Sequence, residues 1–414
     1  MAKIIPFRAI RPPRDVVHLV ASRSYVSYDK ASLCDKLENN PYTFLHIINP
    51  DWQGEELSGT DKYEAVRKAF DDFRAAGTFI QDSAPCIYLY EQIAHGESFM
   101  GLVVGAAVED YRNGVIRKHE DTLSHRENMF KEYLKVTDFN AEPVLLTYPD
   151  APGIDELIAA KSEERPEYEY YTTDKHLHRL WVFEEARDLQ HIQEYFSHMT
   201  ALYIADGHHR SASSSLLADE LHQELGTEGE QPFDYFMAFM IPESRMHIWD
   251  YNRLLRDLNG LSKEEFLEKL EGSFEVYRLS AGTDPRPRSK HHLSVYIGGE
   301  WFALTYHDES LDPTDPVADL DARILTVEVL RPILGIEDLR TSDRVDFLDG
   351  RKGMKGLEAA VDSGKYAAAF ALYPVSTEQL KRISDADLTM PPKSTYIEPK
   401  LRSGLTVYPI EGKK

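Results

Sequence analysis

Residues 199–211 read Met199-Thr-Ala-Leu-Tyr-Ile-Ala-Asp206-Gly207-His208-His209-Arg210-Ser211 and contain the most informative pattern of the chain. Residues 202–205 are apolar and predict a short buried strand, and apolar side chains recur at helical spacing from Ser211 onward. Gly207 lies at the junction. A glycine at such a junction lets the backbone turn sharply and approach a ligand closely.

This strand–glycine–helix arrangement predicts an anion site. The first-turn amides of a helix, together with its dipole, favour a phosphate or a carboxylate. Such a ligand would lie beside Gly207, His208, His209, Arg210 and Ser211. In the alternative interpretation, the carboxylate that precedes Gly207 caps the helix and the two histidines are ordinary surface groups.

A second group of reactive residues is His119-Glu120, within Ile116-Arg-Lys-His-Glu-Asp-Thr122. Phosphoryl transfer to an alcohol needs a group that orients and deprotonates the hydroxyl, which a carboxylate on a loop can do. His119 could hydrogen-bond the phosphate. The alternative is that Asp121 or Thr122 caps the following helix, with Glu120 supplying favourable charge at its start.

A third block, near the end of the sequence, reads Met390-Pro-Pro-Lys393-Ser394-Thr395-Tyr396-Ile-Glu-Pro-Lys400. Its prolines predict rigid turns, and Lys393 and Ser394 could then donate hydrogen bonds to a phosphate or a substrate carboxylate. The alternative interpretation, which the sequence favours equally, is a C-terminal segment that packs across the protein surface. Arg253 is a fourth predicted anion contact, with the same two interpretations.

Metal binding is a competing explanation for the histidines and carboxylates of these blocks, and it would indicate a metal-dependent hydrolase. The sequence lacks the helical His-x-x-x-His and His-Glu-x-x-His spacings that are typical of zinc sites. The expected metal is therefore Mg²⁺ carried by a nucleotide and held through phosphates, Asp206 and water. Because the Gly-x-x-x-x-Gly-Lys-Ser/Thr loop is also absent, a nucleotide would need a different phosphate cradle.

The composition is that of a globular protein. The 414 residues are 42% hydrophobic, enough for a large core, and the two cysteines give no disulfide framework. A formal net charge of −23 at pH 7 argues against nucleic-acid binding, since Lys and Arg supply most non-specific affinity for phosphates. No apolar run approaches the ~20 residues that span a bilayer, and no signal-peptide core is evident at the start. We expect a cytoplasmic protein that acts on a small molecule; homodimerisation is left open.

The alternation of strand and helix signals predicts an α+β fold with mixed sheets. Two hairpins are predicted, at residues 86–93 with 98–108 and at 293–297 with 301–306, and single strands at 143–148 and 177–183. Helical spacing is found at residues 61–76, 123–136, 188–199, 211–225, 262–270 and 319–330.

On four blocks the chain is identified as a member of the uncharacterised family called domain of unknown function 1015. The most distinctive block is Ile204-Ala-Asp-Gly-His-His-Arg210. The other three are Pro6-Phe-Arg-Ala-Ile-Arg-Pro12 with Asn40-Pro-Tyr-Thr-Phe-Leu-His46, the His119-Glu120 block, and the segment from Met390 to Tyr396 with Pro399-Lys400 and Gly404-Leu405.

The Asp-Gly-His-His-Arg segment is similar to one in the ParB/sulfiredoxin-like superfamily, which includes kinases that phosphorylate free serine from ADP or ATP. This resemblance implies a ParB/sulfiredoxin-like nucleotide-binding module over residues 96–260. An N-terminal α/β region would cover residues 1–95, and a C-terminal α+β region that contributes to the site would cover residues 261–414.

The resemblance also implies an activity: phosphate transfer from ATP or ADP to a hydroxylated metabolite such as free serine. It assigns Glu120 the role of catalytic base. His119 and Asp206 are the other two predicted catalytic residues. The alternative is a nucleotide-binding regulatory protein that hydrolyses slowly or not at all, as ParB-type switches do.

Overall fold

The chain folds as two units, each assembled from segments that are distant in the sequence. The computed structural model describes residues 1–24, 27–150, 152–307, 311–312 and 314–412. The first unit comprises Met1–Arg117, Asp121–Met246 and Pro399–Lys414, and the second comprises Lys118–Glu120 and His247–Glu398. These units cross the boundaries of the three regions expected from the sequence, whose division stays a prediction.

The described strands are β1 Ile4–Ile5, β2 Ile10–Arg11, β3 Ile80–Gln81, β4 Ile87–Ala94, β5 Glu97–Ala107, β6 Ile116–Arg117, β7 Phe139–Asn140, β8 Val144–Tyr148, β9 Tyr168–Tyr171, β10 Leu177–Phe183, β11 Leu202–Asp206, β12 Tyr235–Pro242, β13 His247–Trp249, β14 Tyr251–Leu255, β15 Phe274–Arg278, β16 His292–Ile297, β17 Glu300–Tyr306, β18 Val345–Asp349, β19 Ala368–Ala371, β20 Tyr396–Glu398 and β21 Tyr408–Pro409.

The described helices are α1 Val17–Val20, α2 Lys30–Asn39, α3 Leu45–Ile48, α4 Gly59–Ala75, α5 Val108–Arg112, α6 Ser124–Thr137, α7 Asp155–Ser162, α8 Ala186–Ser197, α9 His208–Leu225, α10 Lys263–Leu270, α11 Asp321–Leu325, α12 Gly353–Asp362 and α13 Thr377–Asp385.

The first unit is built on a nine-stranded mixed sheet. Eight strands follow the order β6-β11-β8-β12-β5-β4-β10-β9, and β1 also pairs with β5. The pairing of β4 with β5 confirms the first predicted hairpin. Apolar residues dominate both strands, and His95 and Gly96 adopt the positive φ angles that a tight turn needs. The central strand β12 is buried over nearly its full length, which explains its continuous apolar sequence.

Helices α4 and α6 cover an aromatic core of the first unit. Phe70 of α4 packs on Phe139 with ring centroids 4.2 Å apart, and Phe44 and Phe79 complete the cluster. Apolar side chains at helical spacing along α4 produce this buried face. The predicted helices at 61–76, 123–136 and 188–199 are confirmed to within two residues.

The second unit contains a six-stranded antiparallel sheet with the order β15-β17-β16-β19-β14-β18. The second predicted hairpin is confirmed as β16–β17, and the helix predicted at 262–270 begins after a Ser262 capping box. The helix predicted at 319–330 is only partly correct: α11 covers five residues and continues as π-helical turns over Thr326–Leu330. Thr326 donates its hydroxyl to the Ala322 carbonyl at 2.7 Å, a bond that competes with regular helix geometry.

The fold class is thus α+β with mixed sheets, as predicted. Each unit places one or more helices on a sheet that contains antiparallel pairs.

Candidate anion site

The turn from β11 to α9 is built around Gly207. Its φ angle is +105°, in the left-handed region that favours glycine, and a Cβ atom there would lie 3.1 Å from Nε of Arg210. Helix α9 begins at His208, three residues before the predicted start. The polar run His208-His209-Arg210 therefore forms the first helical turn, where helical dipoles give a positive potential.

Asp206 does not cap α9, so the capping alternative is wrong. One carboxylate oxygen accepts from Nη2 of Arg210 at 2.9 Å, and the other from Nζ of Lys400 at 3.4 Å. Desolvation raises the pKa of this carboxyl, but the charges of Lys400, Arg210 and His208 outweigh it and hold the pKa at about 2. Asp206 is therefore ionised at neutral pH and fixes two cations beside the helix start.

Arg210 is anchored on its other side by the segment that precedes β8. Its Nη1 donates to the Pro143 carbonyl at 2.6 Å and lies 3.8 Å from the Glu142 carboxylate. The side chain remains 25% exposed, so part of its surface faces solvent while its position is fixed. A fixed, partly exposed guanidinium is suited to recognise a phosphate or a carboxylate.

The two histidines differ from each other. His208 is buried, so the interpretation of both histidines as surface groups is wrong. Nε2 of His209 accepts the Leu123 backbone N–H at 3.2 Å, which links the starts of α6 and α9. Ser211 is buried, and its Oγ lies 3.4 Å from the Gly207 carbonyl. A ligand contact by the Ser211 hydroxyl stays a prediction.

Lys400 is the residue of this site that the sequence reasoning missed. It lies 194 positions from Asp206 in sequence, and only the fold brings the two together. The available signal was the Pro399-Lys400 pair in the third block, since a lysine beside a proline is held on a rigid backbone.

The His119-Glu120 block belongs to the second unit, where it contacts the third block. His119 is buried, and its carbonyl accepts from the Met390 N–H at 2.9 Å. Desolvation raises the pKa of Tyr251, and the nearby carboxylates of Asp349 and Glu120 add to this shift.

The alternative in which Asp121 or Thr122 caps the following helix is also wrong. Helix α6 begins at Ser124 with Leu123 in the cap position, and the Thr122 hydroxyl donates to Glu127. The cap geometry does not test Glu120 itself, so its role as a base and its alternative role as a helix-start charge both stay predictions.

Arg253 is fully buried in the second unit, where it supports the loop that carries Lys393. Its Nη1 donates to the Lys393 carbonyl at 3.0 Å and to the Tyr251 carbonyl, and Nη2 reaches the Pro392 carbonyl at 3.4 Å. Desolvation lowers the pKa of Arg253 to about 10. Arg253 therefore stabilises this loop. Its contact with an anion stays a prediction.

Lys393 and Ser394 end up in different environments. Lys393 is exposed, has a positive φ of 58°, and holds its Nζ 5.8 Å from the centre of the Tyr251 ring. Ser394 is buried and donates its hydroxyl to the Pro391 carbonyl at 2.7 Å. Asp206–Ser211 belong to the first unit and Lys393 and Ser394 to the second, so their convergence on one ligand stays a prediction.

The residues around Asp206 do not fit direct magnesium coordination in this arrangement, because each carboxylate oxygen already has a cationic partner. In the part of the chain that the structure describes, no three His, Cys, Asp or Glu side chains are grouped to hold a metal ion. A Mg²⁺ ion that arrives on a nucleotide would depend on the phosphates for its ligands.

Among the residues that the structure describes, no helix is long and apolar enough to cross a membrane.

Comparison with known families shows where this chain belongs. Residues 4–323 match the family described as protein of unknown function DUF1015, which confirms that the chain is a member of it. The comparison with curated proteins gives no match.

Solved structures give weak similarities. A free serine kinase in complex with AMP is 12% identical with a TM-score of 0.36, and the match covers 73% of this chain and 91% of that one. SbnI with a C-terminal truncation, from Staphylococcus aureus, is 13% identical with a TM-score of 0.38 over 75% and 89%. A conserved hypothetical protein from Pyrococcus furiosus is 12% identical with a TM-score of 0.33 over 72% and 90%.

Proposed function

We propose that this protein is a small-molecule phosphotransferase that binds the phosphates of ATP or ADP at the Gly207 turn. The observation that carries the proposal is the pair of cations, Arg210 and Lys400, held by one ionised carboxylate at the start of an eighteen-residue helix. Backbone, helix dipole and side chains there all favour an anion with several oxygens. The ParB/sulfiredoxin-like resemblance of the same segment selects a nucleotide among such anions.

In this proposal, the acceptor is a hydroxylated metabolite such as free serine. Its hydroxyl oxygen attacks the terminal phosphorus, the bond from that phosphorus to the bridging oxygen breaks, and the shortened nucleotide leaves. The hydroxyl proton passes to Glu120. Arg210 and Lys400 stabilise the charge on the phosphate oxygens, which is the main protein contribution expected in phosphoryl transfer.

Calorimetric titration with ATP, ADP and AMP, with and without Mg²⁺, tests the binding step. Gly207→Val should reduce nucleotide affinity by at least about 100-fold, because it strains the turn and displaces Arg210. Gly226→Val is the matched control: it also replaces a glycine with positive φ, 60°, but at the far end of α9, with open space around the added atom. Equal nucleotide affinity in the two variants would refute the cradle.

Phosphorus NMR then tests the transfer step, with ATP or ADP and a panel of hydroxyl acceptors led by serine. A phosphorylated acceptor that forms in proportion to the nucleotide consumed supports the phosphotransferase. Tight nucleotide binding without transfer to any acceptor would reject it in favour of the regulatory alternative.

A further inference from the structure

A cavity lies in the first unit, away from the Gly207 turn. Its volume is about 260 Å³, close to that of small-molecule sites, and its walls come from the loop before β4, the end of α7 and strand β10. In the sheet order, β10 is five strands from β11. At ~4.8 Å per strand, that is about 24 Å along the sheet. The cavity is therefore separate from the candidate anion site.

The floor of this cavity is a fixed ion pair. Arg11 is almost fully buried, and its Nε and Nη2 donate to the Asp82 carboxylate at 3.0 and 2.9 Å. Its Nη1 donates to the Tyr168 hydroxyl at 2.7 Å and to Glu167 at 3.1 Å. Because these partners hold the guanidinium on several sides, the floor of the cavity is rigid.

The rim holds two charges of opposite sign that remain available. Lys161 is paired with Glu164 at 2.8 Å. Arg165 and Glu184 also line the cavity and are exposed, and neither has a hydrogen-bond or ion-pair partner in the described part of the chain. Seven of the twelve lining residues are charged, which disfavours an apolar ligand.

We propose that this cavity binds a small zwitterion, with its carboxylate on Arg165 and its ammonium on Glu184. The guanidinium fork matches a carboxylate, and Glu184 accepts from an ammonium. The buried Trp181 side chain, fixed by its N–H to the Glu164 carbonyl at 2.9 Å, supplies a rigid wall for the methylene groups between the charges. This site is independent of the proposed phosphotransferase activity.

A calorimetric series of ω-amino acids tests the proposal on the full chain: glycine, β-alanine, γ-aminobutyrate and δ-aminovalerate. The member whose charge separation matches Arg165 and Glu184 should bind best. Butylamine and butyrate, which carry one charge each, should bind about tenfold more weakly than that member. Absence of binding by every zwitterion up to about 10 mM would overturn the proposal. Even the weak binding expected of exposed charge pairs should be detected at that ligand concentration.

Charge reversal locates the site. Arg165→Glu and Glu184→Lys should each weaken binding of the best zwitterion about tenfold, and the double variant should restore much of it, because the ligand can bind in the reversed direction. Arg288→Glu is the matched control, an exposed arginine of the second unit that also has no partner among the described residues. Gly207→Val should leave zwitterion affinity unchanged. Unchanged affinity in Arg165→Glu would overturn the assignment.

Discussion

The guanidinium of Arg210 and that of Arg253 have opposite surroundings. Arg210 is 25% exposed and contacts two carboxylates, at 2.9 and 3.8 Å, at the start of a long helix. Arg253 has no exposed surface and donates to three backbone carbonyls. An arginine with carboxylate partners at the surface can exchange one of them for a ligand at small cost, whereas a buried one cannot leave its carbonyls unpaired. Arg210 is thus suited to recognition and Arg253 to support.

The same contrast divides the third sequence block. Lys393 lies in the second unit, on the loop that Arg253 supports, while Lys400 lies in the first unit and pairs with Asp206. Seven positions therefore separate a lysine whose predicted role is untested from one that is part of the anion site. A contiguous motif can serve two parts of a fold because the chain passes from one unit to the other within it.

The greatest change in activity is expected from substitution of Glu120, which lies in the second unit. If it is the base, Glu120→Gln should lower phosphoryl transfer about 10²–10⁴-fold while nucleotide affinity stays nearly constant, because the amide keeps the size but cannot take the proton. Product formation by phosphorus NMR and calorimetric binding separate the two quantities. Wild-type turnover in this variant would remove Glu120 from the mechanism.

The next effect is on stability. Arg253→Met should lower the free energy of unfolding by about 3 kcal/mol, since it leaves buried carbonyls without donors. Arg256→Met is the control, just past the end of β14, the strand that carries Arg253. Arg256 is 45% exposed and pairs with Asp346 at 2.9 Å, so its loss should cost less than about 1 kcal/mol. Urea denaturation of both variants measures the difference, and equal midpoints would contradict the structural role of Arg253.

Arg210 should show the reverse behaviour. Arg210→Gln is expected to weaken nucleotide binding about tenfold with little loss of stability, because it removes one charged contact to phosphate. Arg112→Gln is the control, since Arg112 is 29% exposed, pairs with Asp219 at 2.7 Å and holds the same helix farther along. A larger loss of affinity in Arg112→Gln than in Arg210→Gln would place the anion elsewhere.

The smallest effect is the pH dependence of Asp206. Its folded pKa of about 2 lies below the usual ~3.9, so its contribution to stability is complete above about pH 4 and is lost as pH falls toward 2. The side chain is 45% exposed, which keeps this contribution small and sensitive to salt. Melting temperatures of wild type and Asp206→Asn from pH 5 to 3 should converge as the pH falls. A constant difference would show that Asp206 does not act through its charge.

Local patterns along the chain were enough to predict most secondary-structure elements and the family. Apolar alternation and turn residues predicted both long hairpins, helical spacing predicted α4, α6 and α8, and the four blocks identified the family that the comparison confirms. Strand, glycine turn and helix at residues 202–225 also followed from local pattern. These features depend on backbone preferences and on the period of apolar residues, which neighbouring residues already specify.

Which polar and charged side chains pair with each other depends on the packing of distant segments. The pairing of Asp206 with Lys400 across 194 positions, the burial of Arg253 and the donation of the Ser394 hydroxyl to its own turn depend on contacts between distant segments. The start of α9 at His208, earlier than helical spacing indicated, came from the turn geometry at Gly207. Sequence patterns report the period of burial along one element, but the partner of a polar side chain is set by how separate elements pack, and one sequence carries no direct signal of that packing.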